Sequence, residues 1–288
     1  MINLLEVLQK SATFLESKGV ENGRLNAELL IGHALGLKRM QLYMQFERLL
    51  PEKELELIRP VVRRRSQREP LQYILGTVDF GGLELKVDRR ALIPRPETEY
   101  LVELIKAEYS EAGPMLAADL GTGSGALGLA LAHHWPDVKM WAIDVSKEAL
   151  ELAQENRDAS ELAERVTLLE SDWFETVPKE LRFDLLVANP PYLTSAEVEE
   201  SSPEVKSHEP AVALSTAEDG MDALRIIIEQ APRFLAKDGL LAMETGIAQH
   251  AELSELMVQA GFTKFESKAD LAGRHRFVFA RWPGETSE

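Results

Sequence analysis

The sequence predicts an α/β chain: a mostly parallel seven-stranded sheet closed at one edge by an antiparallel hairpin, with a small helical bundle in front of it. Three observations carry that prediction. From about Leu116 onward, short runs rich in Val, Ile and Leu alternate with segments of helical period, the pattern of successive βαβ units. The last two runs, Thr263–Ser267 and Arg276–Arg281, have no helix between them and are therefore expected to lie antiparallel. Residues 2–58 instead place apolar side chains at helical spacing, first Leu4, Leu5, Leu8, Ala12 and Leu15, later Leu25, Leu29 and Leu30, without β-branched alternation.

Taken in order, residues 1–76 read as the helical domain. Gly23, Gly32, Gly36 and Pro51 punctuate it, and a cluster of Arg63, Arg64, Arg65 and Arg68 closes it before Pro70. Such a cluster is either a platform for a protein partner or a solvated charged face. Residues 77–93 form a linker, with Gly81-Gly82 between two nearly alternating runs, as in a β-hairpin. Residues 94–288 form the third part. Strands are expected near 115–119, 139–143, 166–170, 183–188 and 239–244, and helices near 125–134, 147–158, 221–235 and 248–260. A long loop rich in Pro and Glu runs from Thr194 to Pro210. Neither repeats nor low-complexity tracts are present.

With 288 residues, 45% of them hydrophobic and 28% charged, the chain can bury a sizeable core. Its 32 basic and 48 acidic side chains give a formal charge of −16, placed unevenly. Residues 1–76 carry twelve basic and nine acidic groups, a net +3, and the remainder carries −19. That balance disfavours direct nucleic-acid binding. The absence of cysteine excludes disulfides, thiolate metal sites and cysteine nucleophiles. The beginning MINLLEVLQK lacks a basic leader region, and no apolar run approaches the length of a membrane span, so a cytoplasmic chain without membrane contact is expected. Six histidines show no metal-ligand spacing, and no G-x-S-x-G elbow occurs, so neither a metal site nor a serine nucleophile is expected.

Four stretches carry chemistry. In Ala118-Asp119-Leu120-Gly121-Thr122-Gly123-Ser124-Gly125-Ala126, where a strand turns into a helix, glycines allow a sharp turn and close approach of a ligand. The spacing is ambiguous, because Gly121, Gly123 and Ala126 also satisfy the G-x-G-x-x-G/A pattern of nicotinamide and flavin enzymes, and a tight turn without ligand would look the same. Asp144, at the end of the next strand and twenty-one positions beyond Gly123, can accept from both hydroxyls of a ribose or stand before a helix capped at Ser146. Asp172, in Ser171-Asp172-Trp173, can accept from an adenine amino group while the Trp173 indole packs on the ring; alternatively that indole is core. The fourth stretch, Asn189-Pro190-Pro191-Tyr192, ends a central strand. Prolines donate no hydrogen bond, so the turn is stiff, and the Asn189 side-chain oxygen and Pro190 carbonyl can both accept from one planar NH2 group while Tyr192 presses on its plane.

On these residues the chain resembles the S-adenosylmethionine-dependent methyltransferases that act on planar amino groups, and within them the release-factor glutamine methyltransferases (PrmC/HemK family). The resemblance runs nearly the full length through PLQYILG (70–76), LIPRPETE (92–99), DLGTGSGA (119–126), AIDVS (142–146), SDWF (171–174), NPPY (189–192), HEPAVAL (208–214), EDGMDALR (218–225) and DLAGRHRFV (270–278). NPPY is shared with DNA and RNA amino methyltransferases, whereas Pro94-Arg95-Pro96-Glu97-Thr98-Glu99 is far more specific to the glutamine enzymes. His208 departs from the aromatic common there.

The resemblance implies a Rossmann-like class I methyltransferase fold behind an N-terminal helical substrate-binding domain. It implies that Gly121, Thr122, Gly123, Ser124 and Gly125 line the methionine part of S-adenosylmethionine, Asp144 its ribose, and Asp172 and Trp173 its adenine, with Asn189 beside it. S-adenosylhomocysteine is then the product. Asn189, Pro190, Pro191 and Tyr192 would hold the substrate glutamine, with Asn189, Pro190 and Tyr192 catalytic. It further implies bacterial class 1 peptide chain release factors as partners of a monomeric enzyme supporting translation termination. The rivals are a DNA adenine or RNA guanine amino methyltransferase, which should carry a basic groove, a nicotinamide oxidoreductase, which has no use for NPPY, and a binding module without turnover. Glu244, at the end of the fifth expected strand, falls at the rim of such a site without an assigned role.

Overall fold

The computed structural model describes residues 2–215 and 219–284. They form two compact units, one comprising residues up to Thr77 together with Ser202–His208, the other Val78–Ser201 together with Glu209 onward.

The first unit begins with β1 (Ile2–Asn3) and α1 (Leu4–Ser17), which starts where the Asn3 side chain accepts from the Glu6 N–H at 2.8 Å. α2 (Gly23–Leu35) stops at Gly36, whose φ of 65° lies in the left-handed region. α3 (Arg39–Tyr43), β2 (Leu49–Leu50), α4 (Glu52–Ser66) and α5 (Leu71–Leu75) follow, with β2 antiparallel to β1. Leu4, Leu8, Leu15, Leu30, Ile31 and Leu42 are fully buried at its centre, as helical spacing requires. Leu25 departs from that expectation and is 40% exposed.

β3 (Thr77–Phe80), all but its first residue in the second unit, and β4 (Leu83–Lys86) form a two-stranded sheet around Gly81-Gly82. α6 (Pro96–Lys106) starts with proline at its first turn. Then come β5 (Leu116–Leu120), α7 (Ala126–His134), β6 (Lys139–Asp144), α8 (Lys147–Ala159), β7 (Val166–Glu170) and β8 (Phe183–Ala188). The segment expected as a loop from Thr194 to Pro210 holds two short helices, α9 (Ser195–Glu200) and, in the first unit, α10 (Pro203–His208). The chain ends with α11 (Asp222–Gln230), β9 (Leu235–Glu244), α12 (His250–Gln259), β10 (Thr263–Ala269) and β11 (His275–Arg281). The helix expected over 221–235 is shorter because Pro232 has no N–H to give its ladder; a 3-10 turn, Ala231–Arg233, replaces its end.

The seven strands lie in the order β10-β11-β9-β8-β5-β6-β7. β9, β8, β5, β6 and β7 are parallel, and β11 and β10 run antiparallel at the edge. Alternate residues face opposite sides. Ala117, Leu185, Val187, Met140 and Phe277 pack with Leu101 and Val102 of α6 and with α7, while Ala118, Leu186, Ile143, Met243 and Val278 pack with Ile227 of α11 and Leu253 of α12. Because β6 and β8 flank β5 on opposite sides, the chain reverses its direction of travel across the sheet there, which opens a crevice at the carboxyl ends of these strands.

Candidate active site

Register brings the critical loops together. Leu120 pairs with Ala188 and with Ile143, so the glycine turn after β5 lies between Asn189 after β8 and Asp144 ending β6. The turn needs glycine for its backbone: Gly121 and Gly123 have φ of 70° and 56°, although a Cβ at Gly121 would come no nearer than 3.6 Å to the Trp173 ring.

Three side chains hold that turn. Asp119, 1% exposed, accepts from the Thr122 hydroxyl at 2.6 Å and the Gly128 N–H at 2.9 Å. Burial, opposed by those two hydrogen bonds and reinforced by the nearby Asp144 charge, pushes its carboxyl up to about 6. Asp144 accepts from the Gly123 N–H at 2.8 Å and the Ser146 N–H at 2.9 Å, while Ser146 itself caps α8. Burial raises this carboxyl too, against hydrogen bonds from Ser146 and Gly123. Buried Asn156 donates to the Ser124 carbonyl at 2.8 Å and the Lys86 carbonyl at 3.0 Å, and accepts from the Lys86 N–H at 2.7 Å, stitching α8, the glycine turn and β4.

These loops enclose a cleft of about 320 Å³, within the range of small-molecule sites. Of the residues expected at the site, Gly121, Thr122, Gly123, Ser124, Asp144, Asp172, Trp173, Asn189 and Pro191 line it. Gly125, Pro190 and Tyr192 do not. Gly125 shapes the turn from behind, with φ of 86°. Trp173 answers to both of its alternatives: half-buried, it packs against the second core cluster and also forms cleft wall, from a left-handed backbone with φ of 49°.

Tyr192 turns its hydroxyl inward, donating to Glu244 Oε1 at 2.7 Å. Glu244, 2% exposed, accepts at its other oxygen from Thr98 Oγ1, also at 2.7 Å. Thr98 Oγ1 in turn accepts from Asn189 Nδ2 at 2.9 Å, and Arg276 Nη1 approaches the Tyr192 hydroxyl at 3.4 Å. Burial raises the Glu244 carboxyl, opposed by the Thr98 and Tyr192 hydroxyls and by Arg276. Burial and the Glu244 charge raise the Tyr192 phenol.

Arg95, on the cleft wall, grips buried Glu209 with contacts of 2.6 and 2.7 Å. The sequence alone assigns no role to Asp119, Asn156, Thr98, Arg95 or Glu209. Asp119, Arg95, Thr98 and Glu209 stand inside quoted motifs, which was the available signal; Asn156 stands in none. Of the quoted stretch 218–225, Glu218 lies outside the described residues. Among the described residues, no group of three or more His, Cys, Asp or Glu side chains is placed to hold a metal ion, and no helix is long and apolar enough to cross a membrane.

Comparison with known proteins bears on this geometry. Residues 6–76 match the family model of the PrmC N-terminal domain, and residues 96–204 that of the methyltransferase small domain. The chain is 41% identical to the release factor glutamine methyltransferase of Geobacter sulfurreducens, covering 96% of this chain and 95% of that one. The chain belongs to the release factor glutamine methyltransferases. It is thus an S-adenosylmethionine-dependent protein methyltransferase. The same-named proteins of Chlorobaculum tepidum, 40% identical over 88% of this chain and 89% of that one, and Moorella thermoacetica, 38% over 97% and 98%, agree.

Among solved structures, the Thermus thermophilus 16S rRNA N2 G1207 methyltransferase RsmC, bound to AdoMet and guanosine, superposes with a TM-score of 0.52 at 21% identity, over 71% of this chain and 49% of that one. A methyltransferase from Pyrococcus furiosus does so with 0.52 at 19%, over 71% and 90%. These likenesses bear out the class I methyltransferase fold.

Proposed function

We propose that this chain transfers a methyl group from S-adenosylmethionine to the side-chain amide nitrogen of the glutamine in the Gly-Gly-Gln motif of bacterial class 1 release factors, in the cytoplasm. The observation that carries the reading is the position of Asn189 on the wall of the cleft formed by the glycine turn, with its Nδ2 committed to Thr98 and its Oδ1 without a hydrogen-bond partner among the described residues. A free carbonyl oxygen beside a donor-sized cleft suits a substrate that offers N–H groups.

The donor fits the residues present. The cleft has room at about 320 Å³, an acid at Asp144 with lone pairs left over for a ribose, and the Trp173 indole with Asp172 for the adenine. Gly121, Thr122, Gly123 and Ser124 are the backbone against which its amino-acid end would lie. When bound, it supplies an electrophilic methyl group on a sulfonium: the new C–N bond forms as the S–C bond breaks, and the nitrogen loses a proton.

An amide nitrogen is a weak nucleophile because its lone pair is delocalised into the carbonyl. Asn189 Oδ1, on the cleft wall, would bind one N–H group and aim the nitrogen, and the Pro190 carbonyl, next along the chain but off that wall, is the second acceptor that the family resemblance implies. Both bonds strengthen as positive charge develops on it. Aiming of this kind is worth roughly 7–11 kcal/mol at most. Tyr192 serves by anchoring the corner through Glu244, a role different from the ring contact expected of it.

The test incubates the protein with isotopically labelled donor and, separately, a class 1 release factor, the same factor with Gln→Ala in its Gly-Gly-Gln motif, or duplex DNA, and locates the label by mass spectrometry. Label on the glutamine alone is expected; label on DNA would favour an amino methyltransferase of nucleic acid. Asn189→Ala is expected to keep donor affinity while losing turnover, and equal loss of both would remove the assigned role.

A further inference from the structure

The hydrogen bonds behind Asn189 form a chain with a fixed direction. As placed, the Glu244 carboxyl receives one hydrogen at each oxygen, from Thr98 at 2.7 Å and from Tyr192 at 2.7 Å. Thr98 owns a single hydroxyl hydrogen, and Glu244 takes it. At its remaining contact, 2.9 Å from the Asn189 side chain, Thr98 Oγ1 can therefore only accept. The Asn189 carboxamide must then present its NH2 end to Thr98 and its carbonyl oxygen away from it. Thr98 is 5% exposed and Glu244 2%, so water does not compete for these bonds.

We infer that Thr98 is a positioning residue that, backed by Glu244, fixes which end of the Asn189 carboxamide faces the cleft and so makes Asn189 an acceptor for substrate N–H groups. Without this chain the two ends of the carboxamide are nearly equal in shape. A flipped Asn189 would point its NH2 at the substrate NH2, two donors facing each other, and the nitrogen to be methylated would lose its aim. Thr98 therefore acts on turnover through Asn189, and the donor's place in the cleft is held by other residues, Asp144 and the glycine turn.

The inference rests on the reading of Asn189 given above, and its test separates the two. Thr98→Val keeps the volume and removes the hydroxyl; Thr98→Ala is a second variant that cannot overfill the site; Thr98→Ser restores the hydroxyl alone. With labelled donor and a class 1 release factor, kcat is expected to fall about 10- to 100-fold in Thr98→Val and Thr98→Ala, at unchanged donor Kd, and to recover most of the way in Thr98→Ser. The Asn189 side-chain amide signals in a 15N–1H spectrum, assigned through their loss in Asn189→Ala, should shift in Thr98→Val and hold in Thr98→Ser. Parental turnover in a folded Thr98→Val or Thr98→Ala, failure of Thr98→Ser to recover, or parallel loss of donor affinity overturns the inference. If Asn189→Ala loses turnover at constant donor affinity while Thr98→Val matches the parent, the Thr98 inference alone falls; if Asn189→Ala leaves turnover intact, the underlying reading falls with it.

Discussion

At the scale of single residues, most of the cleft is governed by buried carboxyls whose charge is costly and whose hydrogen bonds need it. Asp119 is the sharpest case. Its carboxyl is raised by burial to about 6 from 3.8, so between these values the folded state holds a proton that the unfolded chain has released. By linkage, this group's contribution to fold stability declines as pH rises through that window. The opposite sign holds for the donor, whose sulfonium and ammonium charges favour ionised Asp119 and Asp144. Its Kd, followed by titration calorimetry from about pH 5 to about pH 7.5, is expected to tighten several-fold, and Asp119→Asn should reduce the slope. A Kd that is flat across the range would contradict this.

Residue identity at the cleft wall was largely legible, because a glycine turn and an Asn-Pro-Pro-Tyr corner announce their backbone requirements in the letters themselves. The pairing of Thr98 with Glu244 was not: Glu244 falls at the rim of the site by its place at a strand end, but a threonine 146 positions away becomes its partner only when α6 and the end of β9 bring their side chains together. Asn156 was invisible for the same reason, since its two partners, Lys86 and Ser124, lie on two other segments.

At the scale of elements, the sheet strands and their helices followed periodicity closely, and the departures have local causes. α9, inside the segment expected as a loop, opens on a capping pair not picked out in the sequence: Thr194 Oγ1 accepts from the Glu197 N–H at 3.2 Å and the Glu197 carboxylate accepts from the Thr194 N–H at 2.8 Å. Its neighbour α10 was not readable, because what holds it is distant in sequence. Glu204 receives Arg65 Nη2 at 2.9 Å and Arg68 Nη2 at 2.6 Å, and Arg65 also reaches Asn26 at 2.8 Å. Two members of the arginine cluster are thus committed within the molecule, and Arg64 bonds Glu69 at 2.7 Å. Burial lifts the Glu204 carboxyl, but Arg68, a backbone N–H and Arg65 outweigh it and hold it at about 2. The stabilisation is present above about 4.5 and fades as pH falls toward about 2. Glu204→Gln is expected to cost about 2–3 kcal/mol and to speed hydrogen exchange at the amides of 204–208. Unaltered exchange there would show that the pair does not hold the helix.

At the scale of the whole molecule, the order of strands decides where chemistry can occur, and that order is not written in any local pattern. Periodicity can list seven strands; only long-range pairing places β8 beside β5 and so sets Asn189 next to the glycine turn. The division into units has a similar non-local part. Residues 202–208 count with the first unit although nearly all their sequence neighbours belong to the second. Fragment 1–77, which lacks Glu204, therefore leaves Arg65 without its carboxylate. Arg65→Met is expected to cost more stability in the full chain than in that fragment, measured by denaturant unfolding of each; equal costs would mean that Glu204 contributes nothing to Arg65.

The backbone passes from one unit to the other three times, at 77/78, 201/202 and 208/209. A recombination event or an engineered graft with one breakpoint near residue 77 would split the first unit's inheritance, taking its arginines from one parent and their carboxylate from another. Exchange of the helical unit is thus best made with two segments moved together, so that positions 65, 68 and 204 come from one parent.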